Sequence, residues 1–139
     1  NTAVALAVLQ SLLDRGEHPL MILSMIGREI RMLLQASLLL ESGRLPHFQP
    51  SMEFPWFQKN IYPAVSEIAT KFSAKDDVLV RKHPYVIFNS LKNSGRFSRA
   101  ALLHYLDELL EIDRSMKSSA TDPQLLLERF LTQACSKVS

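Results

Sequence analysis

The stretch that most constrains the fold is residues 97–117, FSRAALLHYLDELLEIDRSMK, because it combines a helix start signal with a continuous apolar stripe. Ser98 is placed as an N-cap, whose hydroxyl can accept a hydrogen bond from an amide of the first turn. Phe97, just before it, can pack on Leu102 as a hydrophobic staple. The stretch therefore predicts a long amphipathic helix that begins next to Ser98.

One side of this predicted helix is apolar along its whole length. At about 100° per residue, four residues fall on one line along the helix: Leu102, Leu106, Leu109 and Met116. Tyr105 and Ile112 lie on one flank of this line, and Leu103 and Leu110 lie on the other. The arc is wider than one packed face needs, which is typical of a helix that also contacts a partner. We therefore expect Leu103 and Leu110, on the far flank, to lie at an interface.

Asp113 falls on the same apolar line, where a carboxylate is costly to bury unless it is paired and hydrogen-bonded. Lys117, one turn later, is the nearest partner. We expect Asp113 to be mostly buried and to bond to Lys117, or to a basic or amide group of a neighbouring helix, as a structural pair. A catalytic acid–base pair is the less common outcome of this spacing.

The rest of the chain favours helices over strands. Leucine-rich runs recur between prolines and glycines, glycine occurs only four times, and 47% of the 139 residues are hydrophobic. A chain of this size can bury one core. The sequence therefore predicts a single all-α domain, residues 1–139, folded as a bundle of about five to six helices. Because no run of about 18 uncharged apolar residues is present, no membrane-spanning helix is expected.

Prolines and glycines mark most of the predicted helix boundaries. Gly16 and Gly43 are placed to end the first two helices, and prolines are placed to begin most of the others. Residues 44–60 contain three prolines and four aromatic residues, which predict an irregular connection packed by its own rings. The predicted helices cover residues 3–14, 19–43, 63–75, 84–95, 98–117 and 123–135, and residues 76–82 can add a further turn.

Residue types that support catalysis, metal binding or nucleotide binding do not cluster in the sequence. The four glycines lie too far apart for a phosphate-binding loop. No two of the four histidines have the spacing that places both on one helix face, so no metal site is expected. Cys135 is the single cysteine, which excludes an internal disulfide and suits a reducing compartment. We expect no enzyme activity and no cofactor.

Charge is unevenly distributed along the chain, whose net charge is +2. Residues 44–99 carry nine Lys or Arg against four Asp or Glu, a local charge of +5. A stretch with this charge is more commonly solvated surface, but its basic side chains could also lie along a phosphate backbone. The alternative function is therefore a free-standing helical module that binds nucleic acid. Its contacts would come from Lys71, Lys75, Arg81, Lys82, Lys92, Arg96 and Arg99, with Lys82, Arg96 and Arg99 as the leading candidates.

Two stretches resemble a known family. They are residues 16–34, GEHPLMILSMIGREIRMLL, and residues 82–135, which begin KHPYVIFNSLKNSGRFSR. In this order and spacing they are similar to the C-terminal domain of the delta subunit of bacterial DNA polymerase III, a clamp-loader protein. The matching features are Gly16-Glu17-His18-Pro19, Arg28 and Arg31 ahead of paired leucines, His83-Pro84-Tyr85, Phe97-Ser98, the series Leu109, Asp113 and Lys117, and Glu128 ahead of the last apolar run.

The resemblance implies a helical collar domain, one of those that hold clamp-loader subunits in a ring. In that family an upstream domain opens the sliding clamp and the gamma or tau subunits hydrolyse ATP, so the resemblance implies a non-catalytic scaffold, separate from the upstream AAA+-like domains. The implied partners are the gamma or tau and delta-prime subunits, with Leu103 and Leu110 as the candidate contact. DNA would be reached indirectly through the assembled complex, and no membrane or small-molecule partner is implied. The implied location is the bacterial cytoplasm.

Overall fold

The fold is all-α, as predicted. The structure, a computed structural model, describes residues 2–45, 48–118 and 122–136, with side chains described for 7–45, 48–118 and 122–134. These residues form seven α-helices and one short 3-10 helix at Leu79–Arg81, and no strand occurs among them. The helices are α1 Thr2–Asp14, α2 Pro19–Glu41, α3 Phe54–Asn60, α4 Tyr62–Ala69, α5 Pro84–Ser94, α6 Arg99–Ser118 and α7 Pro123–Ser136. None of these helices is both long and apolar enough to cross a membrane.

The predicted boundaries at glycine are confirmed. Gly16 follows α1 with φ +88°, and Gly43 follows α2 with φ +74°. Both lie in the left-handed region that side chains with a Cβ rarely adopt, which is the conformation that ends a helix at its C′ position. These two glycines therefore fix where the first two helices stop.

Histidine and aspartate side chains cap helices that begin with proline. Nδ1 of His18 accepts a hydrogen bond from the amide of Leu20 at 3.1 Å, and Nδ1 of His83 accepts one from Tyr85 at 3.1 Å. Oδ1 of Asp122 caps α7 in the same way, because it accepts a hydrogen bond from the Gln124 amide at 3.1 Å. Each cap satisfies one amide that the first helical turn leaves without an intrahelical partner. The caps show that both His-Pro pairs are helix start signals.

The chain divides into two compact units. The expectation of one domain over residues 1–139 stays a prediction. The first unit comprises residues 1–30 and 100–139, and in it α1 packs against α7. Gln124 of α7 donates from Nε2 to Oε1 of Gln10 in α1 at 2.9 Å. The buried apolar side chains of this unit are Leu9, Ile22, Leu23, Ile30, Leu102, Tyr105, Leu109, Leu127 and Phe130.

The second unit, residues 31–99, has an aromatic core. Phe57 is fully buried and its ring lies 6.2 Å from Phe48, 6.3 Å from Phe54 and 5.2 Å from Phe88. Around these rings pack apolar side chains from α2, α4, α5 and the 3-10 helix, including Met32, Ala36, Ile61, Val65, Leu79, Ile87 and Leu91. Ring pairs at these separations add packing energy beyond their buried area.

One polar contact fixes the 3-10 helix to α2 in the second unit. The amide of Leu79 donates to Oε1 of Gln35 at 2.8 Å, and the Leu79 side chain is buried. The Gln35 side chain thus supplies the acceptor for an amide in the partly buried interior of this unit.

The region predicted as an irregular connection contains a helix, α3 Phe54–Asn60. Glu53 occupies its N-cap position and Pro55 lies in its first turn, where a missing amide hydrogen costs nothing. Phe57 of this helix and Ile61, the residue just after it, are both buried. Packing of these two side chains therefore stabilises a helix too short to be recognised from periodicity.

The helix predicted over residues 63–75 is shorter in the structure, because α4 ends at Ala69. The Thr70 hydroxyl donates to the carbonyl of Glu67 at 2.6 Å, and the Ser73 amide donates to Oδ2 of Asp76 at 2.7 Å. Short polar side chains of this kind compete for backbone groups and so favour turns over further helix. The further turn expected within residues 76–82 is present as the 3-10 helix.

Candidate partner-binding surface

The buried face of α6 is turned toward the Tyr105 flank of the predicted stripe. Leu102, Tyr105 and Leu109 are buried, whereas Leu106 on the predicted central line is only half-buried. Tyr105 packs edge-to-face on Phe130 of α7, with ring centroids 6.0 Å apart. The helix is therefore oriented by its contact with an aromatic partner, which the leucine periodicity alone did not show.

Leu103 and Leu110 lie outside this buried face. Their exposed fractions are 47% and 51%, and they are seven residues apart, which places them on one side of α6 two turns from each other. Because each leucine is only half exposed, covering the rest would contribute roughly half of the about 1.5–3 kcal/mol that full burial of a leucine side chain provides. Both are available to a partner protein, and their role at an interface stays a prediction.

Asp113 and Lys117 form an ion pair at the rim of the packed face. Oδ2 of Asp113 lies 2.9 Å from Nζ of Lys117, the geometry expected of residues one helical turn apart. The Asp113 side chain is 32% exposed and so half-buried, and its role as a structural pair stays a prediction. Its coverage is incomplete because burial falls toward the C-terminal end of α6, where Ile112 and Met116 are also only half-buried.

Two of the three leading nucleic-acid candidates form ion pairs within the second unit. Lys82 pairs with Asp77, Arg99 pairs with Glu41, and Arg96 is exposed. Of the other basic residues, Lys92 lies over the Phe88 ring, with Nζ 5.2 Å from its centroid. Exposed ion pairs are worth about 0–1 kcal/mol, so a phosphate could compete for these side chains.

A surface groove lies between α6 and α7 in the first unit and has a volume of about 430 Å³. The wall contributed by α6 carries acidic side chains, and the wall contributed by α7 carries Arg129 and Gln133. Within the described residues, no group of three His, Cys, Asp or Glu side chains is placed to hold a metal ion. The groove is lined by His104, Asp107, Glu108, Glu111, Ile112, Leu126, Arg129, Phe130 and Gln133.

Trp56 is an exposed aromatic residue that the sequence reasoning placed inside the connection. It is 47% exposed on α3 and borders a second surface groove, of about 470 Å³, together with Gln49, Met52 and Glu53. The signal that could have located it is the spacing within residues 54–57: Phe54 and Phe57, three apart, turn inward and leave Trp56 on the other side of a helical turn.

Comparison with known proteins decides the family. A sequence profile of the C-terminal domain of the DNA polymerase III delta subunit matches residues 1–47 and 65–134. The chain belongs to this family. The unmatched residues, 48–64, contain all of α3 and the start of α4.

The chain is also similar to the DNA polymerase III subunit delta of Bacillus subtilis (strain 168). The two are 26% identical over 129 residues, which cover 93% of this chain and 29% of that protein. The chain thus spans less than a third of the length of this delta relative. No solved structure matches the chain significantly.

Proposed function

We propose that this delta-family domain is a collar scaffold that helps to hold a clamp loader together during bacterial DNA replication. The observation that carries the proposal is the exposure of Leu103 and Leu110 on one side of α6, in a domain whose family is shown. The partners are the collar domains of the gamma or tau and delta-prime subunits, in the cytoplasm. DNA is reached through the assembled complex.

The domain itself carries out no catalysis in this proposal. Its glycines lie too far apart to form a phosphate-binding loop, and the family resemblance assigns clamp opening to an upstream domain and ATP hydrolysis to other subunits. We expect no ATP hydrolysis by this chain and no affinity for the sliding clamp. Measurable binding to the isolated sliding clamp would contradict this assignment.

The test of the scaffold is complex formation with the partner collars. The chain is mixed with the gamma or tau and delta-prime collar domains, and the mass is measured by light scattering. Leu103→Asp and Leu110→Asp should each weaken association at least about 10-fold, because a carboxylate would have to be desolvated in an apolar contact. Circular dichroism must show that both variants remain folded.

Leu38→Asp is the matched control, because Leu38 is 48% exposed but lies on α2 in the second unit. It should associate as the parent does. If the parent forms no complex at tens of micromolar, or if Leu38→Asp weakens association as much as Leu103→Asp, the proposed interface is wrong.

A second candidate function is nucleic-acid binding by the second unit. This unit carries ten Lys or Arg and five Asp or Glu, a net charge of +5. The first unit carries six Lys or Arg and nine Asp or Glu, a net charge of −3. Binding through phosphates should weaken steeply with salt, while a collar contact built on leucines should not. Loss of binding on combining Lys82→Glu, Arg96→Glu and Arg99→Glu would support this alternative.

A further inference from the structure

The groove between α6 and α7 has an apolar floor. Phe130 is buried against Tyr105, and Ile112 and Leu126 are half-buried beside it. These three side chains come from both helices, so the floor runs between them as a shallow channel. A groove of this kind fits the apolar edge of an amphipathic helix laid between two helices.

The two walls of the groove differ in charge. On α6, Asp107, Glu108 and Glu111 line the groove, and on α7 its one basic residue is Arg129. Glu108 lies 2.6 Å from Nε2 of His104, and Glu111 lies 2.7 Å from Nη1 of Arg114; both pairs are at least partly exposed, so an incoming cation could compete. With histidine neutral, these lining residues carry a net charge of −2, within a unit whose net charge is −3.

We propose that this groove binds a basic amphipathic helix of a partner protein. Apolar side chains of the incoming helix pack on Ile112, Leu126 and Phe130, and its lysines or arginines pair with Asp107 and Glu111. The complementarity of charge selects a basic segment over an acidic one, and the apolar floor supplies the buried area. The site goes beyond the proposed scaffold contact, because its floor and its α7 wall include neither Leu103 nor Leu110, although Asp107 lies one helical turn from each of them.

The test uses a fluorescein-labelled peptide of about 15 residues, built from Ala, Leu and Lys so that a leucine stripe is bordered by lysines. A second peptide has glutamate in place of every lysine. We expect the lysine peptide to bind the full chain in fluorescence anisotropy and the glutamate peptide to bind at least about 10-fold more weakly.

Two charge reversals locate the site. Asp107→Lys should weaken binding of the lysine peptide about 10-fold, whereas Glu29→Lys, an equal charge change on exposed α2 in the same unit, should change it less than about twofold. Leu126→Gln should also weaken binding, and circular dichroism checks its fold. Equal loss in Asp107→Lys and Glu29→Lys, no loss in either, or no binding of the lysine peptide at about 200 μM would each overturn the proposal.

Discussion

Tyr105 of α6 meets Phe130 of α7 edge-to-face, with ring centroids 6.0 Å apart and ring planes at 85°. Both side chains are buried in the first unit. Leu103 and Leu110 lie on another side of α6, where they are exposed, and Phe130 also lines the groove between α6 and α7. The aromatic pair therefore joins the two helices that carry both candidate binding surfaces.

We expect Phe130→Ala to lower the free energy of unfolding by about 3–5 kcal/mol, because it removes a buried ring and leaves a cavity beside Tyr105. Urea unfolding followed by circular dichroism measures the change. Leu125→Ala, at an exposed position of the same helix, should change stability by less than about 0.5 kcal/mol. Equal effects of the two substitutions would show that the Phe130 ring is not part of the core.

We expect Asp113→Ala to cost only about 0.5 kcal/mol, because the ion pair with Lys117 is partly exposed. Removing a carboxylate that has a buried partner would cost about 1–3 kcal/mol, which is the value expected if the apolar stripe of α6 were buried at this position. Thermal melts of the parent and Asp113→Ala, at low and high salt, separate the two cases. The small difference should shrink further as salt is added, since screening weakens exposed pairs.

We expect Gln35→Met to cost about 1–3 kcal/mol, because it keeps the side-chain length but removes the acceptor for the Leu79 amide. Gln35→Glu keeps an acceptor oxygen and should be better tolerated than Gln35→Met. Denaturant melts that rank the two variants in the reverse order would contradict the role assigned to this hydrogen bond.

We expect His83→Ala to cost about 0.5–1 kcal/mol by removing the side-chain acceptor for the Tyr85 amide at the start of α5. His83→Asn restores an acceptor at an N-cap position and should recover most of the loss. Amide hydrogen exchange gives the site-specific measurement: protection of Tyr85 should fall in His83→Ala and return in His83→Asn.

The sequence predicts those helix ends at which single residues determine the backbone. Gly16 and Gly43 adopt the left-handed conformation, and Pro84 and Pro123 begin helices, because these residues act locally. By contrast, α3 depends on burying Phe57 in a core assembled from distant parts of the chain. Local periodicity contains no information about that core.

The candidate site was predicted only in part, for the same reason. The pattern of leucines placed Leu103 and Leu110 at the edge of the α6 stripe, where they are exposed. The groove depends on how α6 and α7 pack through Tyr105 and Phe130, residues 25 positions apart in the sequence. A contact between such distant residues cannot be read from the spacing within one helix.

The chain contains one tryptophan, Trp56, and it lies on α3 in the second unit. Its emission is therefore an intrinsic optical reporter of that unit alone, whereas far-ultraviolet circular dichroism averages over the helices of both. Superimposable unfolding curves from the two signals would identify the chain as a single cooperative folding unit. Separate midpoints would instead show that each unit has its own stability, and tryptophan emission would then identify the unfolding curve of the unit that contains α3.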